Sequence, residues 1–345
     1  MLLSLGAMFA MFRFKIGVLT TLGGASVLGI ALHLLGAICS QRQGDDEMLK
    51  LRLSFALATL VISAGAQAAE PWETTIATAL GKPGNEMPGG VYRVGLPRSD
   101  LKVTIGGVTI KPGLALGSWV AFMRHGQGDE VMVMGDLVLT DAEVNPVMKR
   151  LAEGGIEITA LHNHLLSSTP HTMYMHIAGN GDGAKLAATL HAALALSKTP
   201  LLAATAGAPL PAAAPLDLDT AGIDSALGHK GKVNAGVYSV SLSRAETLHE
   251  GGLALPDAMG TGIGINFQPT GSGHAAIAGD LVLTAGEVNP VLRILRENGI
   301  EVEALHNHML DDEPRLFFMH FWANDDAVKL AKGLRAGLDK MNVRR

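Results

Sequence analysis

Residues 135–140 read Gly-Asp-Leu-Val-Leu-Thr, and the same six residues return at positions 279–284. The segment 143–147, Glu-Val-Asn-Pro-Val, likewise returns at 287–291, again 144 positions later. At this offset, residues 135–194 and 279–338 are identical at 33 of 60 positions. A single repeat of such long period predicts two tandem copies of one domain, not a solenoid of short repeats.

Each repeat predicts a strand that runs into a capped helix. Residues 130–140 are mostly apolar and predict a strand. Thr140 and Glu143 form a capping-box pattern, so a helix is expected from there to about Glu153, with Pro146 causing a kink or a later start. Strands over 156–166 and 172–178 and a closing helix over 184–196 complete a β-α-β-β-α second half, preceded by short strands. The predicted fold class is α+β, with two tandem homologous units, each a mostly antiparallel sheet under a helical layer.

The chain is expected to divide into five segments. The two repeat units span 72–197 and 221–342, and the Ala- and Pro-rich residues 198–220 predict an extended linker. Residues 48–68 carry a short basic start, an apolar stretch and a small-residue cleavage site, which is typical of a signal peptide.

The preceding residues, 1–47, leave two interpretations open. They are an upstream extension before a true start at Met48, or residues 16–39, which lack charged side chains, form a membrane segment. Both interpretations place the repeats outside the cytoplasmic membrane, in the periplasm or otherwise exported. Membrane contact is then expected only through a retained N-terminal segment.

Composition excludes several kinds of protein. Only 17% of residues are charged, the formal net charge is −5, and no long run of Lys or Arg occurs, so we expect no nucleic-acid partner. The single cysteine, Cys39, precedes both repeats, which excludes a disulfide framework and a thiolate metal site within them.

Histidines mark the candidate site in each unit. A His-Asn-His tripeptide lies on a predicted strand, where alternation turns both histidines to one face, and a third histidine follows on the next strand. A turn centred near residue 169 would set His162 opposite His176. Three imidazoles per unit would then converge as in an open site for a divalent transition metal such as Zn²⁺. A polar ligand pocket without metal and a purely structural cluster remain as alternatives. The predicted metal ligands are His162, His164, His176, His306, His308 and His320.

Two kinds of carboxylate accompany these histidines. Glu313 replaces Thr169 of unit one, and it is predicted as a fourth ligand or as the catalytic general base of a more complete site in unit two. Asp136 and its copy Asp280 are interpreted either as partners of the histidines or as strand-end residues that bond the backbone.

The repeated motifs resemble those of the LppY/LpqO-type family of exported bacterial proteins, a domain of unassigned function. The resemblance covers residues 72–342 and rests on segments 135–140, 143–147, 160–164 and 175–176 with their unit-two copies. It implies export and a two-unit build, and it implies no reaction. Unit one departs from the pattern at residues 168–171, where unit two keeps Glu-Pro-Arg at 313–315.

Two functions are therefore carried forward from the sequence. The first is a metal-dependent hydrolase in which a metal-bound water acts as nucleophile. The second is a non-catalytic periplasmic protein that binds a ligand or a metal.

Overall fold

The first repeat is built on a six-stranded antiparallel sheet. A computed structural model describes residues 71–125, 130–201 and 216–344. The strand order of the sheet is β1-β2-β5-β6-β8-β7, and a separate hairpin, β3-β4, lies beside it. The strands are β1 (Asn85–Met87), β2 (Val91–Pro97), β3 (Thr104–Ile105), β4 (Val108–Thr109), β5 (Gly117–Arg124), β6 (Glu130–Thr140), β7 (Glu157–Asn163) and β8 (Thr172–Asp182).

The second repeat forms an equivalent sheet in the order β15-β17-β14-β13-β10-β9. A small three-stranded sheet, β12-β11-β16, lies beside it. These strands are β9 (Lys232–Asn234), β10 (Val237–Leu242), β11 (His249–Glu250), β12 (Leu253–Ala254), β13 (Ile263–Gly271), β14 (His274–Thr284), β15 (Glu301–His306), β16 (Asp312–Glu313) and β17 (Leu316–Asp326). The predicted α+β class and tandem build are confirmed.

Helices form a layer on one face of each sheet. The capping box predicted at Thr140 is present, and the helix after it contains Pro146 without a later start. Pro146 lies in the second turn, where its missing N–H costs the helix one backbone hydrogen bond, and the helix continues through it. The helices are α1 (Pro71–Leu80), α2 (Pro112–Ala115), α3 (Asp141–Glu153), α4 (Gly183–Leu194), α5 (Thr220–Leu227), α6 (Ala285–Glu297) and α7 (Ala327–Leu338).

The other face of each sheet is also buried, because the two repeats pack against each other. Along β6, Val131 and Val133 join the core under α3 and α4, whereas Met132 and Met134 join a core that contains unit-two residues. Successive strand residues face opposite sides. The helices of unit one therefore cover one face of β6, and unit two covers the other face. The described residues of both repeats belong to a single compact unit.

A buried arginine ties the edge of each sheet to a helix start. Arg98 is fully buried, and its Nη1 donates to Val138 O at 2.6 Å and to Glu143 Oε2 at 2.9 Å. Asp100 accepts two further hydrogen bonds from the same guanidinium. Glu143 therefore caps the helix and neutralises a buried cation. The second repeat copies the arrangement with Arg244, Glu246 and Glu287.

Several sequence predictions concern residues outside the described ranges. The extension or membrane segment at 1–47 and the signal peptide at 48–68 lie there, as does 202–215 of the linker. Among the described residues, no helix has the length and apolar character that a membrane crossing requires.

Candidate metal centre

The six predicted histidines lie on the helix-free faces of the two sheets, where the repeats meet. His162 on β7 and His176 on β8 share a face, as predicted, and His306 and His320 occupy the equivalent positions. The predicted register is wrong by two residues, because His162 pairs with Tyr174 and His176 pairs with Ala160. A shift of two residues leaves the facing side unchanged.

The histidines form one cluster across the repeats, not one cluster per unit. His162 stacks on His306 with ring centroids 3.5 Å apart. His164 stacks on His320 at 3.6 Å, and His176 stacks on His308 at 3.7 Å. Each pair joins the two units, so the histidines of the predicted unit-two set lie directly against those of unit one and the two predicted sites are not separate. The physical cause is the packing of the helix-free faces, which a single unit does not contain.

Backbone carbonyls fix the orientation of five of these rings. The Nδ1 atoms of His162 and His306 donate to the carbonyls of the asparagines that follow them, at 2.7 and 2.9 Å. Nδ1 of His320 donates to Gly279 O at 3.1 Å, and Nδ1 of His308 to Gly260 O at 3.2 Å. His176 also makes a hydrogen bond to the backbone of Gly135. Such bonds orient metal-ligating histidines and leave Nε2 with its lone pair.

Five of the Nε2 atoms converge, and three of them have no hydrogen-bond partner among the described residues. Nε2 of His162, His176 and His308 is buried and makes no hydrogen bond among the described residues. Nε2 of His306 lies 2.8 Å from Nε2 of His320. Two nitrogens bound to one tetrahedral Zn²⁺ lie roughly 3.3 Å apart, so this spacing is close to that of two ligands of one ion.

Two groups have the spacing of a metal site. His162, His176 and His306 form one, and His306, His308 and His320 form the other, with the ligand atoms of each group within 4.8 Å of one another. The second group is the predicted set of unit two. The first takes His306 in place of His164, so the predicted set of unit one is not brought together as such.

Burial holds all six imidazoles in the neutral form. Burial and, to a smaller extent, neighbouring histidines lower the pKa of His162 to about 2 and that of His164 to about 3, and burial lowers the pKa of His306 to about 4. Burial also lowers the pKa of His176, His308 and His320 well below the ordinary value. Neutral imidazoles can donate a lone pair to a metal without first losing a proton.

Two aspartates lie beside the cluster, on the central strands β6 and β14. Asp280 Oδ2 is 3.4 Å from His308 Nε2, and its Oδ1 is 3.7 Å from His320 Nδ1. Both distances are longer than a charge-assisted hydrogen bond, and Oδ1 of Asp136 and of Asp280 has no hydrogen-bond partner within the described part of the chain. Burial raises the pKa of Asp136 to about 7, opposed by Arg93, and raises that of Asp280 well above its ordinary value.

A cavity of about 660 Å³ reaches the cluster from one side, lined by Asp136, Asp280 and His308 together with Arg93 and Trp119. The Arg93 guanidinium lies over the Trp119 ring, 3.8 Å from its centroid, and Nη1 donates to Ala258 O. The sequence analysis did not single out Arg93 or Trp119, which have no histidine motif nearby in the chain.

Glu313 is not placed with the histidines. It lies on β16, where it pairs with His249 of β11, and its side chain is exposed. It belongs to neither histidine group. The residues between His308 and β17 include β16, which joins the small sheet by pairing with β11. The expectation that Glu313 stands close to the site is therefore not met.

Comparisons with known proteins identify a family and no activity. A family model described as Domain of Unknown Function (DUF1259) matches residues 74–196 and 221–340, one match per repeat. No curated protein matches the chain.

Two solved structures are similar only at a low level. EtuB from Clostridium kluyveri is 8% identical, with 74% of this chain and 90% of that chain covered and a TM-score of 0.18. A trimeric bacterial microcompartment shell protein, PduB, is 14% identical, with 73% and 88% covered and a TM-score of 0.17. TM-scores this low support no conclusion about fold or function.

Proposed function

We propose that this chain, which belongs to the family described as Domain of Unknown Function (DUF1259), binds a divalent transition metal ion at a centre shared by its two repeats. One observation carries the proposal. Five imidazoles from both repeats, four of them buried and His306 half-buried, are hydrogen-bonded to the backbone, and their ring nitrogens form two groups with metal-site spacing that share His306.

The free-energy argument favours a ligand at these atoms. A buried polar atom without a hydrogen bond costs about 1–3 kcal/mol, and Nε2 of His162, His176 and His308 are three such atoms. A metal ion accepts their lone pairs and removes that cost. Imidazole donors suit Zn²⁺, Cu²⁺, Fe²⁺ and Ni²⁺, and Zn²⁺ is the ion we propose to test first.

The cavity favours hydrolysis over simple storage of the metal. His308 lines it together with Asp280, so a substrate that enters reaches both a proposed ligand and a carboxylate. A bound metal ion would lower the pKa of a coordinated water and make it a nucleophile at neutral pH. Asp280 replaces Glu313 in the role of proton acceptor, because Asp280 lies next to His308 and Glu313 does not. Ester or phosphate hydrolysis that depends on added metal, absent in Asp280→Asn, would separate an enzyme from a carrier.

Export is part of the same proposal. The basic and apolar pattern of residues 48–68 is typical of a signal peptide, and the motifs resemble the exported LppY/LpqO-type family. Mass spectrometry of the N-terminus of protein recovered from the periplasm tests this, with cleavage after Ala68 as the expected result. Protein found only in the cytoplasm with an intact N-terminus would contradict it.

Metal analysis of the purified chain tests the central proposal. After chelation and reconstitution with Zn²⁺, wild type is expected to retain about one equivalent or more per chain, and His306→Ala/His308→Ala to lose it. His274→Ala is the matched control, because His274 is exposed at the far end of β14. Wild type with less than about a tenth of an equivalent would overturn the proposal.

A further inference from the structure

We propose that Asn163 and Asn307, the middle residues of the two His-Asn-His tripeptides, are positioning residues that align the histidines of one repeat with those of the other. The inference rests on the proposed function, because these histidines are the proposed metal ligands. The asparagines act through the neighbouring rings and are not themselves ligands.

Each asparagine side chain reaches the backbone of the other repeat. Asn163 Nδ2 donates to Glu303 O at 2.9 Å, and Asn307 Nδ2 donates to Thr159 O at 3.0 Å. Thr159 and Glu303 are 144 positions apart, as are the two asparagines, so they are equivalent residues of the repeat. The two contacts are therefore reciprocal, and they join β7 of unit one to β15 of unit two.

The two acceptor residues lie at irregular points of the edge strands. The ladders of β7 with β8 and of β15 with β17 each contain a bulge, and Thr159 and Glu303 are the residues at these bulges. A bulged residue is left out of the regular ladder, so its carbonyl is free to accept from another donor. The bulge in one repeat and the asparagine of the other repeat thus form one contact.

The side chains at the bulges also cross between the repeats. Thr159 Oγ1 donates to His308 O, and Glu303 Oε2 accepts from Leu166 N. Both bulge residues are buried. The hydrogen bonds between the repeats therefore lie beside the tripeptides, and one of them ends on the backbone of a proposed ligand, His308.

The same asparagines orient a histidine within their own repeat. The backbone carbonyl of Asn163 accepts from Nδ1 of His162, and that of Asn307 accepts from Nδ1 of His306. These two rings are the pair that stacks across the repeats at 3.5 Å. A shift of β7 along β15 would separate the rings and break both amide contacts, so the amide contacts favour the aligned arrangement.

Another asparagine separates this role from general support of the fold. Asn266 Nδ2 donates to Leu114 O at 3.2 Å, so it also joins the two repeats. It lies on β13 and belongs to neither tripeptide. Replacing any of the three asparagines by alanine leaves a carbonyl without its donor and lowers the free energy of unfolding. Only the loss of Asn163 or Asn307 should also disturb the histidine rings.

The first measurement needs no metal. Nuclear magnetic resonance of the chelated full-length protein, labelled at histidine, records the ring proton signals, which stacked rings displace from the position of an exposed histidine such as His274. These displacements should shrink in Asn163→Ala/Asn307→Ala. In Asn266→Ala they should equal those of wild type.

The second measurement is Zn²⁺ affinity, determined by competition with a chelator. Asn163→Ala/Asn307→Ala is expected to bind Zn²⁺ about 10–100-fold more weakly than wild type, and Asn266→Ala to differ from wild type by less than about threefold. Urea unfolding of the chelated proteins shows how much stability each variant loses, so that a loss of affinity is compared at a known loss of stability.

Two results would overturn the proposal. One is a double variant whose ring signals or Zn²⁺ affinity match those of wild type. The other is an Asn266→Ala variant that loses as much of both as the double variant does. If the double variant does not fold, Asn163→Ala and Asn307→Ala, each of which keeps one contact, are compared with Asn266→Ala in the same way.

A wild type that binds no Zn²⁺ is a failure of the proposed function instead. The ring signals of the metal-free proteins then decide by themselves whether the asparagines align the histidines. Signals that change in the double variant and not in Asn266→Ala would support the alignment, and signals that are the same in all three proteins would overturn it.

Discussion

The two repeats share their fold and differ where they meet. His164 and His308 are equivalent by sequence, yet only His308 belongs to a group with metal-site spacing. Nδ1 of His308 donates to the Gly260 carbonyl, whereas Nδ1 of His164 has no partner among the described residues. The comparison teaches that duplication copied the residues and that the local backbone decides which copies are oriented as ligands.

The segments before β5 in unit one and before β13 in unit two explain why only His308 has this partner. In unit two, a short 3-10 turn (Asp257–Met259) ends at Gly260, whose φ of 102° is accessible mainly to glycine. A Cβ at Gly260 would lie 2.6 Å from the Trp119 ring, so the close approach also requires glycine. In unit one, α2 occupies the corresponding place and packs against unit two, where Leu114 O accepts from Asn266. Most of the residues that line the cavity accordingly come from unit two.

The largest expected effect separates His306 from its copy His162. His306 belongs to both histidine groups, so His306→Ala should abolish Zn²⁺ binding. His162→Ala leaves the group of His306, His308 and His320 complete, and it should weaken binding by about 10–100-fold at most. Competition with a zinc chelator measures both. Equal losses in the two variants would show that the repeats contribute alike.

Acid should destabilise the metal-free protein through a property that both repeats share. Burial lowers the pKa of the six histidines, so the unfolded chain, with histidine pKa near 6.5, binds more protons below that pH. Stability then falls as the pH drops from about 6.5 toward 4, by at least about 1.4 kcal/mol per pH unit. Asp136 and Asp280 act in the opposite direction, because burial raises their pKa and the folded state holds their protons, but they are fewer.

Urea unfolding of the chelated protein across this range measures the slope. His164→Gln and His308→Gln should each reduce it by a similar amount, because the two side chains are 8% and 5% exposed. A stability that does not change between pH 6.5 and 4.5 would refute the assignment of buried neutral histidines.

The buried arginines test whether the two scaffolds are equivalent. Arg98→Ala removes the cation that pairs with Asp100 and Glu143, and Arg244→Ala removes the cation that pairs with Glu246 and Glu287. Each substitution should lower the free energy of unfolding by about 3–5 kcal/mol. Chemical denaturation measures both losses, with the exposed Lys149→Ala as a control expected to change little. A loss confined to one repeat would mean that the units do not share this support.

The smallest expected effect on Zn²⁺ affinity is the difference between substituting His308 and substituting its copy His164. His308→Ala should weaken Zn²⁺ binding by about tenfold or more, because it removes a proposed ligand. His164→Ala should change the affinity by less than about threefold, because its ring only stacks on His320 and Tyr174. A calorimetric titration of both variants decides the matter, and a stronger loss in His164→Ala would reverse the roles assigned to the repeats.

Local sequence patterns predicted the scaffold of each repeat well. The strand over 130–140, the capping box at Thr140 and the end of α3 at Glu153 are found where the sequence places them. β8 continues to Asp182, beyond the predicted end at 178, because the glycines there stay in the ladder with β6. The two-residue error in the histidine register follows from the hairpin turn and from a bulge between Ile158 and Ala160.

Local sequence patterns could not predict that the two sheets pack against each other, although the sequence of β6 carries one indication of it. In β6 both faces are apolar, which is typical of a strand covered on both sides, while a single helical layer covers only one. The second apolar face indicates that something else covers it, and the sequence does not show that this is the other repeat. Glu313 was misplaced for a similar reason, since β11, with which β16 pairs, lies more than 60 residues earlier in the chain. Arg98 lies outside the four motif segments of unit one on which the resemblance rests, and only the fold shows that it is fully buried.

The most direct test of the shared centre is anomalous diffraction at the zinc edge from crystals of the reconstituted protein. The account predicts a peak between the two sheets, bound by Nε2 of His306 and by further imidazoles of the cluster, and lost in His306→Ala crystals. Zinc found only at surface residues, or no peak within the cluster at full occupancy of added metal, would contradict it.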